Sequence, residues 1–173
     1  MLFQNISNFH SVNDYLPILV GCVLADVIII FMLMHNIIIK SNYLKKWYKI
    51  YNVSACIADI LILVIGIIIA RFTYKYIFDK FCIWKFTALA IIIQIIHDII
   101  FYLYFKFMPI GYSSILDFFK KYAREVGIGA ILGDSFMMIL ACLFSSYFAG
   151  LNVNTNIILL IILVYILPYL IYM

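Results

Sequence analysis

Five long apolar runs divide the chain, and they constrain its fold more than any other feature of the sequence. A helix rises about 1.5 Å per residue, so roughly 20 apolar residues cross a hydrocarbon core of about 30 Å. The runs lie at about residues 16–39, 53–72, 87–107, 126–148 and 157–173. The last run has only 17 residues and can span a bilayer only if it stands upright. Five spanning helices are therefore predicted, with four as the alternative count.

The composition excludes a soluble globular domain. Hydrophobic residues make up 68% of the chain and charged residues 12%, and the mean hydropathy is +1.15. Soluble domains average about 45–50% apolar and about 25% charged residues. A chain of this length cannot bury so much apolar surface in its own core. We therefore predict an all-α protein, a polytopic transmembrane helix bundle that forms one integral membrane domain over residues 1–173.

The basic residues predict the orientation of this bundle. All twelve Lys and Arg fall within residues 40–49, 71–85 and 106–124, next to apolar runs. The positive-inside rule favours an outside N-terminus and an inside C-terminus, because eight of the twelve then lie inside; the segment 71–85 opposes this. No Lys or Arg precedes the first run, unlike in a cleaved signal peptide. The sequon Asn5-Ile6-Ser7 lies on the predicted outer side.

The same basic residues predict a lipid bilayer, and no nucleic acid, as the partner. No long basic patch with interleaved aromatic residues is present, as nucleic-acid binding would require. Residues 114–125 predict one amphipathic interfacial helix, with apolar side chains at helical spacing on one side. The alternative is a connecting helix packed on the protein's own surface. The residues predicted to lie at the interface or contact lipid are Trp47, Lys120, Lys121 and Arg124.

Four of the eight acidic residues lie inside predicted spans, one in each of the first four. They are Asp26, Asp59, Asp98 and Asp134. A charged Asp near the bilayer centre costs roughly 2.5–3.5 kcal/mol, so each is expected to be protonated, paired, or exposed to water or a cation. Counted from the predicted outer boundary, all four lie roughly 15 to 21 Å deep, which predicts that they share one level of the bundle.

Polar neighbours extend this group of acidic residues. Gln94, His97 and Asp98 share one side of the third span through spacings of three and four residues, and Ser135 follows Asp134. The residues predicted to form an ion or proton pathway are Asp26, Asp59, Gln94, His97, Asp98, Asp134 and Ser135. Proton or cation handling by a channel-like or transporter-like protein is the leading hypothesis, with His97 as a relay. The alternative is that these residues only join helices in a structural or assembly protein.

Two further features of the sequence leave alternatives open. Small residues at Gly129-xxx-Gly133, as at Gly21-xxx-Ala25 and Gly66-xxx-Ala70, allow close helix packing, which predicts either internal contacts or a homo-oligomer. A metal held by His97 with Asp or Cys side chains stays open, although no CxxC, HxxxH or ExxH spacing is present. No cofactor and no catalytic residue is predicted.

An enzyme is the third hypothesis for the acidic residues. Ile131-Leu132-Gly133-Asp134 resembles half of the Gly-x-Gly-Asp motif of presenilin-type intramembrane aspartyl proteases, and Pro168-Tyr169-Leu170 resembles their Pro-Ala-Leu motif. Ile131 stands where the first Gly of that motif should be, and the chain is too short for the helices of that family. This resemblance would make Asp134 one catalytic carboxylate and Asp98 or Asp59 the other.

A second resemblance covers about half of the chain, from Gln94 onward. The segments that carry it are residues 97–102, 115–127 and 129–135 and the tail from 154 to 172. Together they resemble small multi-span membrane proteins of large DNA viruses whose function is not characterised. The resemblance implies a viral or infected-cell membrane as the location, and it implies no activity.

Overall fold

The computed structural model describes residues 2–37 and 41–172, and within these residues it is entirely helical, with no strand. A short 3₁₀ turn at Val12–Asp14 leads into the first of seven α-helices. The helices are α1 Tyr15–Met34, α2 Asn42–Tyr51, α3 Val53–Ile77, α4 Ile83–Phe107, α5 Ser114–Val126, α6 Ile128–Phe148 and α7 Val153–Ile171.

Five of these helices, α1, α3, α4, α6 and α7, are long and apolar enough to cross a membrane. The all-α class and the count of five apolar helices are thereby confirmed, and the chain is a membrane protein. α1 ends at Met34, before the predicted boundary at residue 39, because Asn36 adopts a left-handed backbone with φ of 57°; residues 38–40 lie outside the described part. α7 begins earlier than predicted, because Asn152 caps it by accepting the N–H of Thr155 at 2.8 Å.

Four of the long helices form a closed ring. α1 packs against α3, α3 against α4, α4 against α6, and α6 against α1. α1 and α6 cross most closely, because Gly21 leaves space for Ser145 of the opposite helix. α7 packs outside the ring, against α1 and α3. The ring therefore consists of the four helices that carry the intramembrane Asp residues, and the helix without one lies outside it.

The two short helices cover one end of the ring. α2 connects α1 to α3, α5 connects α4 to α6, and α2 and α5 pack against each other. Ser41 caps α2 by accepting the N–H of Leu44 at 3.1 Å. The α5 helix lies where residues 114–125 predict one, but Leu116 and Phe118 on it are buried, and Phe118 packs on Trp47. This part of its apolar side therefore covers the protein's own surface, as the alternative prediction has it.

The N-terminal segment covers the opposite end of the ring. Ile6 is fully buried. The backbone N–H of Gln4 donates to the carbonyl oxygen of Ser146 at 3.0 Å, and the Ser146 hydroxyl donates to the carbonyl oxygen of Gln4 at 2.6 Å. Arg71 Nη2 donates to Asp14 at 3.0 Å and to the carbonyl oxygens of Asn8 and Ser11. The charge count groups Arg71 with the aqueous segment 71–85, but α3 continues to Ile77 and includes this residue. This fully buried residue lies within α3, since its charge is neutralised by Asp14.

Candidate functional site

The four Asp residues lie at a similar level, closer to the end of the ring that α2 and α5 cover. Asp59 and Asp134 are each the seventh residue of their helices, α3 and α6, which begin at this end. Asp26 and Asp98 lie eight and nine residues before α1 and α4 finish there. At about 1.5 Å per residue, all four are roughly two turns from the covered end.

Asp26 and Asp59 are joined through one tyrosine hydroxyl. The Oη atom of Tyr48, on α2, lies 3.1 Å from Asp26 Oδ1 and 2.8 Å from Asp59 Oδ2. The indole N–H of Trp47 donates to the same Asp59 oxygen at 3.0 Å. Two carboxyl groups from different spanning helices thus meet at a single buried hydroxyl group, and α2 supplies the two side chains that bind them.

The hydrogen-bond geometry around Tyr48 favours one additional proton. Burial, followed by the negative charges of Asp26 and Asp59, raises the pKa of Tyr48 well above its usual range, so the phenol keeps its proton. A phenol hydroxyl has only one proton to donate. A full hydrogen bond to each carboxyl group forms when one of them is protonated and donates to the phenol oxygen. Asp26 is fully buried, and its Oδ2 has no hydrogen-bond partner among the described residues.

Asp98 forms its hydrogen bonds on its own helix. Its Oδ1 atom accepts the side-chain N–H of Gln94 at 2.8 Å and lies 3.2 Å from His97 Nδ1. Its Oδ2 atom is buried without a partner among the residues that the structure describes. The His97 side chain is 40% exposed and its ring stacks on Phe101. His97 therefore lies at the edge of the acidic group, between Asp98 and the outer surface of the bundle.

Asp134 belongs to the same acidic group through electrostatic interactions. It interacts electrostatically with Asp98 and Asp59, although no side-chain hydrogen bond reaches it within the described ranges. Tyr122, on α5, is close to the same three carboxyl groups. Burial, then the charges of Asp134, Asp59 and Asp98, raise the pKa of Tyr122 above its usual range. Asp59, Asp98, Asp134 and Tyr122 are therefore near enough to interact electrostatically, and Tyr48 links Asp59 to Asp26.

The remaining predicted site chemistry finds little geometric support. Over residues 2–37 and 41–172, no three His, Cys, Asp or Glu side chains converge in a way that could hold a metal ion. Ser135, predicted to belong to the ion or proton pathway, makes no side-chain hydrogen bond among the described residues. Pro168-Tyr169-Leu170 lies on α7, which packs on α1 and α3, and Tyr169 is 61% exposed. The segment compared with the Pro-Ala-Leu motif thus lies outside the ring that contains Asp134.

The structure separates the four residues that the sequence assigns to the interface. Trp47 is not a lipid-facing anchor, because its side chain is only 5% exposed and its N–H group binds Asp59. Lys120 is partly buried and donates to the carbonyl oxygen of Met108. Lys121 and Arg124 are exposed on the outer side of α5. Only the basic members of the set therefore remain available to lipid headgroups.

The glycine pairs also divide into two groups. An added Cβ on Gly21 would approach Ser145, and one on Gly66 would approach Met138, so both glycines serve packing inside the ring. An added Cβ at Gly133 would meet nothing within 4 Å, and one at Gly129 would meet only Val126, one turn before it in the chain. Gly129 and Gly133 thus take no part in the contacts between described helices, and association of two copies there stays a prediction.

Tyr48 and Tyr122 are the site residues that the sequence reasoning missed. A signal for the first was present, because the apolar residues of α2 recur at spacings of three and four along one face of that helix: Tyr43, Leu44, Trp47, Tyr48 and Tyr51. Such a face predicts burial against the bundle. The sequence instead predicts Trp47 at the membrane interface, because aromatic residues beside a span boundary are typical of that position.

The fold and the site together define a membrane protein whose ring of spanning helices encloses carboxyl groups from every member. Comparison of the chain with protein-family models, with curated proteins and with solved structures finds no match.

Proposed function

We propose that this membrane protein binds and exchanges protons at the Asp26–Tyr48–Asp59 site. The observation that carries the proposal is the single hydroxyl group between two carboxyl groups, at 3.1 and 2.8 Å. Two charged carboxylates that contact the same hydroxyl group repel each other strongly in apolar surroundings. One proton shared among the two carboxyl groups and the hydroxyl group removes this repulsion. Intramembrane carboxyl groups that lie inside a bundle commonly serve proton relays.

The neighbouring groups supply a route for the proton. Asp59 interacts electrostatically with Asp134, and Asp134 with Asp98, so a change of protonation at one of them alters the proton affinity of the next. His97 Nδ1 lies 3.2 Å from Asp98 Oδ1, so the imidazole can exchange a proton with that carboxyl group. Proton binding is favoured over cation binding because the described carboxyl groups do not converge as metal ligands.

The packing in the other half of the ring favours proton access to the acidic residues from one side of the membrane at a time. Beyond the level of the acidic residues the core contains Leu63, Ile67, Met138 and Phe86, all 2% exposed or less. Apolar packing of this kind opposes the passage of a proton toward the opposite end. We therefore propose a proton-binding or proton-coupled carrier that must rearrange to release its proton on the other side, and not a permanently open pore.

A second candidate function is favoured by a specific observation, namely the hydrogen bonds that Asp98 makes to Gln94 and His97 of its own helix. Locally satisfied polar groups, together with the attachment of α2 through Tyr48, are also what a purely structural bundle requires. In this reading the protein is a structural or assembly component, and the sequence resemblance would place it in a viral or infected-cell membrane.

Proton flux into liposomes that contain the purified protein and a pH-sensitive dye tests the first candidate. We expect flux in the wild type and its loss in Asp26→Asn and Asp59→Asn, with reduced flux in Asp98→Asn and Asp134→Asn. Asp79→Asn is the matched control, because Asp79 is exposed in the α3–α4 loop. Wild-type liposomes that behave like empty ones, or full flux in both Asn variants of the Tyr48 pair, would refute the proposal.

Infrared spectroscopy of the reconstituted protein separates the two candidates further. A protonated carboxyl group has its own carbonyl band, which should be present in the wild type and lost in Asp26→Asn or Asp59→Asn but kept in Asp79→Asn. A carboxyl band without proton flux would support the structural candidate. No such band in the wild type would remove the shared proton on which the first candidate depends.

A further inference from the structure

We propose that a basic groove between the end of α4 and α5 binds the phosphate of an anionic phospholipid. The groove has a volume of about 580 Å³, and its walls include the three cations Lys106, Lys120 and Arg124. Tyr102, Phe105 and Met108 lie beside them. This site is separate from the acidic group and independent of the proposed proton chemistry.

The groove carries an excess of positive charge. Lys120 lies 3.8 Å from Asp117, whose other oxygen accepts the N–H of Gly111 at 2.8 Å. Lys106 and Arg124 have no carboxylate within 4 Å among the described residues. The nearby Glu125 is directed to α2, where it contacts Ser41 at 3.4 Å. One carboxylate thus faces three cations, which leaves two positive charges for an anion.

All three cations line the same groove, and contacts within the protein orient two of them. Lys106 lies in the last turn of α4 with its ammonium group 5.6 Å from the centre of the Tyr102 ring. Lys120 is held by the carbonyl oxygen of Met108. Arg124 lies one turn further along α5 from Lys120 and can reach the same phosphate with a planar, bidentate guanidinium group. Contacts with Tyr102 and Met108 therefore restrict where the ammonium groups of Lys106 and Lys120 can lie.

The surroundings favour a lipid over a free phosphate ion. α4 is a membrane-spanning candidate that ends at Phe107, so its last turn lies where the apolar core gives way to headgroups. Leu103, Phe107 and Ile110 beside the groove are 42%, 78% and 83% exposed. They offer an apolar surface along which acyl chains can lie while the phosphate occupies the groove. Basic pockets between helix ends bind anionic headgroups in this way.

Native mass spectrometry of the full-length protein in detergent tests the proposal. The probes are phosphatidic acid, phosphatidylglycerol and phosphatidylcholine, added at equal concentration. We expect the wild type to retain the two anionic lipids preferentially. Lys106→Gln/Arg124→Gln should weaken their retention on the order of 20-fold, from about fivefold per cation removed. The matched control is Lys75→Gln/Lys85→Gln, which removes two exposed cations at the opposite end of the ring.

Three results would overturn the proposal. The wild type could retain phosphatidylcholine as well as the anionic lipids. The two double variants could lose anionic lipid equally, which would indicate general charge attraction without a site. Millimolar inorganic phosphate could displace the lipid fully, which would assign the groove to a free anion. Circular dichroism of each variant verifies that its helical content equals that of the wild type.

Discussion

At the scale of single residues, Tyr48 joins more of the structure than any other side chain of the site. Its hydroxyl contacts carboxyl groups from α1 and α3, and its ring is 1% exposed. Neither Asp26 nor Asp59 is exposed enough for water to replace the Tyr48 hydroxyl fully as a hydrogen-bond partner. The hydroxyl therefore has both a stabilising role and a role in holding the proton.

Tyr48→Phe should destabilise the protein by about 1–3 kcal/mol, because it leaves buried carboxyl oxygens without their donor. The measurement is the midpoint of unfolding in detergent micelles, followed by circular dichroism. Tyr76→Phe is the control, since Tyr76 is 68% exposed and its loss of a hydroxyl should have almost no effect. Equal unfolding midpoints for the two variants would contradict the bridging role.

Arg71→Gln should release the N-terminal segment and lower stability by about 3–5 kcal/mol, because it leaves the carboxylate of Asp14 without its buried partner. Limited proteolysis, read by mass spectrometry, should show faster cleavage within residues 2–14. Lys75→Gln, which removes an exposed charge one turn later, should leave the cleavage rate unchanged. Protection of the segment in Arg71→Gln would show that its other contacts suffice.

Individual residues also show where prediction from the sequence stops. The shared level of the four Asp residues follows from counting helical rise, and the structure places them at one level. The partner of Arg71 could not be predicted, because Asp14 is 57 residues away and no periodicity connects the two. Charge counts treat such an arginine as part of a loop, whereas tertiary pairing allows it inside a helix.

At the scale of helices, the crossing of α1 and α6 depends on the absence of a side chain at Gly21. A Cβ there would lie 2.5 Å from Ser145 Oγ and 2.6 Å from Ser145 N. Backbone atoms cannot move aside as a flexible side chain can, so the two helices would have to separate. Any larger residue at this position should therefore loosen the ring as a whole.

Gly21→Ala should lower the unfolding free energy by about 1–3 kcal/mol through this overpacking. Gly133→Ala makes the same chemical change where nothing lies within 4 Å of the added methyl group. It should be neutral, or stabilising by about 0.5–1 kcal/mol, because Ala is the better helix residue. Chemical unfolding of both variants in the same detergent measures the difference, and a tolerated Gly21→Ala would mean that the crossing is less tight.

The elements differ in how far the sequence predicts them. Long apolar runs predict all five long helices, because hydropathy and length are sufficient for that purpose. The ten-residue α2 lies in a basic, aromatic segment that hydropathy does not identify as a helix. Its role in covering the acidic group depends on contacts with α1, α3 and α5. Short helices of this kind are stabilised mainly by tertiary packing, so their function is not visible locally.

At the scale of the whole molecule, the ring has two chemically different ends. Buried Arg71 is neutralised by Asp14, so the end that contains the N-terminal segment carries Lys75, Lys80 and Lys85 as its unneutralised basic residues among those described. The end covered by α2 and α5 carries Lys45, Lys46, Lys49, Lys106, Lys120, Lys121 and Arg124. The difference supports the proposed orientation with the N-terminus outside, in which the α2 and α5 end faces inward.

Cys82 provides a natural probe of this orientation, because it lies just before α4 at the N-terminal end, while Cys22, Cys56 and Cys142 are buried. A membrane-impermeant maleimide should label intact cells at Cys82. The backbone N–H groups of Lys85 and Trp84, and then the charge of Lys85, lower the pKa of its thiol. The rate should therefore reach half its maximum at a lower pH than for free cysteine.

Cys82→Ser, the control, should abolish the labelling. Labelling that requires permeabilised cells would place this end, and with it the N-terminus, inside. If the pH dependence of the labelling rate matched that of free cysteine, it would contradict the effect of the α4 backbone on the pKa of the thiol. Such a result would not bear on the orientation.

The contacts of the N-terminal segment impose an order on the biogenesis of this molecule. Gln4 leaves the ribosome well before the serine whose hydroxyl binds its carbonyl oxygen, because that serine is 142 residues later in the chain. The N-terminal segment cannot pack in place until α6 has been synthesised and inserted. In a chain whose synthesis stops earlier, this segment therefore stays exposed to proteases. A membrane protease that cleaves exposed segments would therefore degrade chains that lack α6 in preference to complete ones.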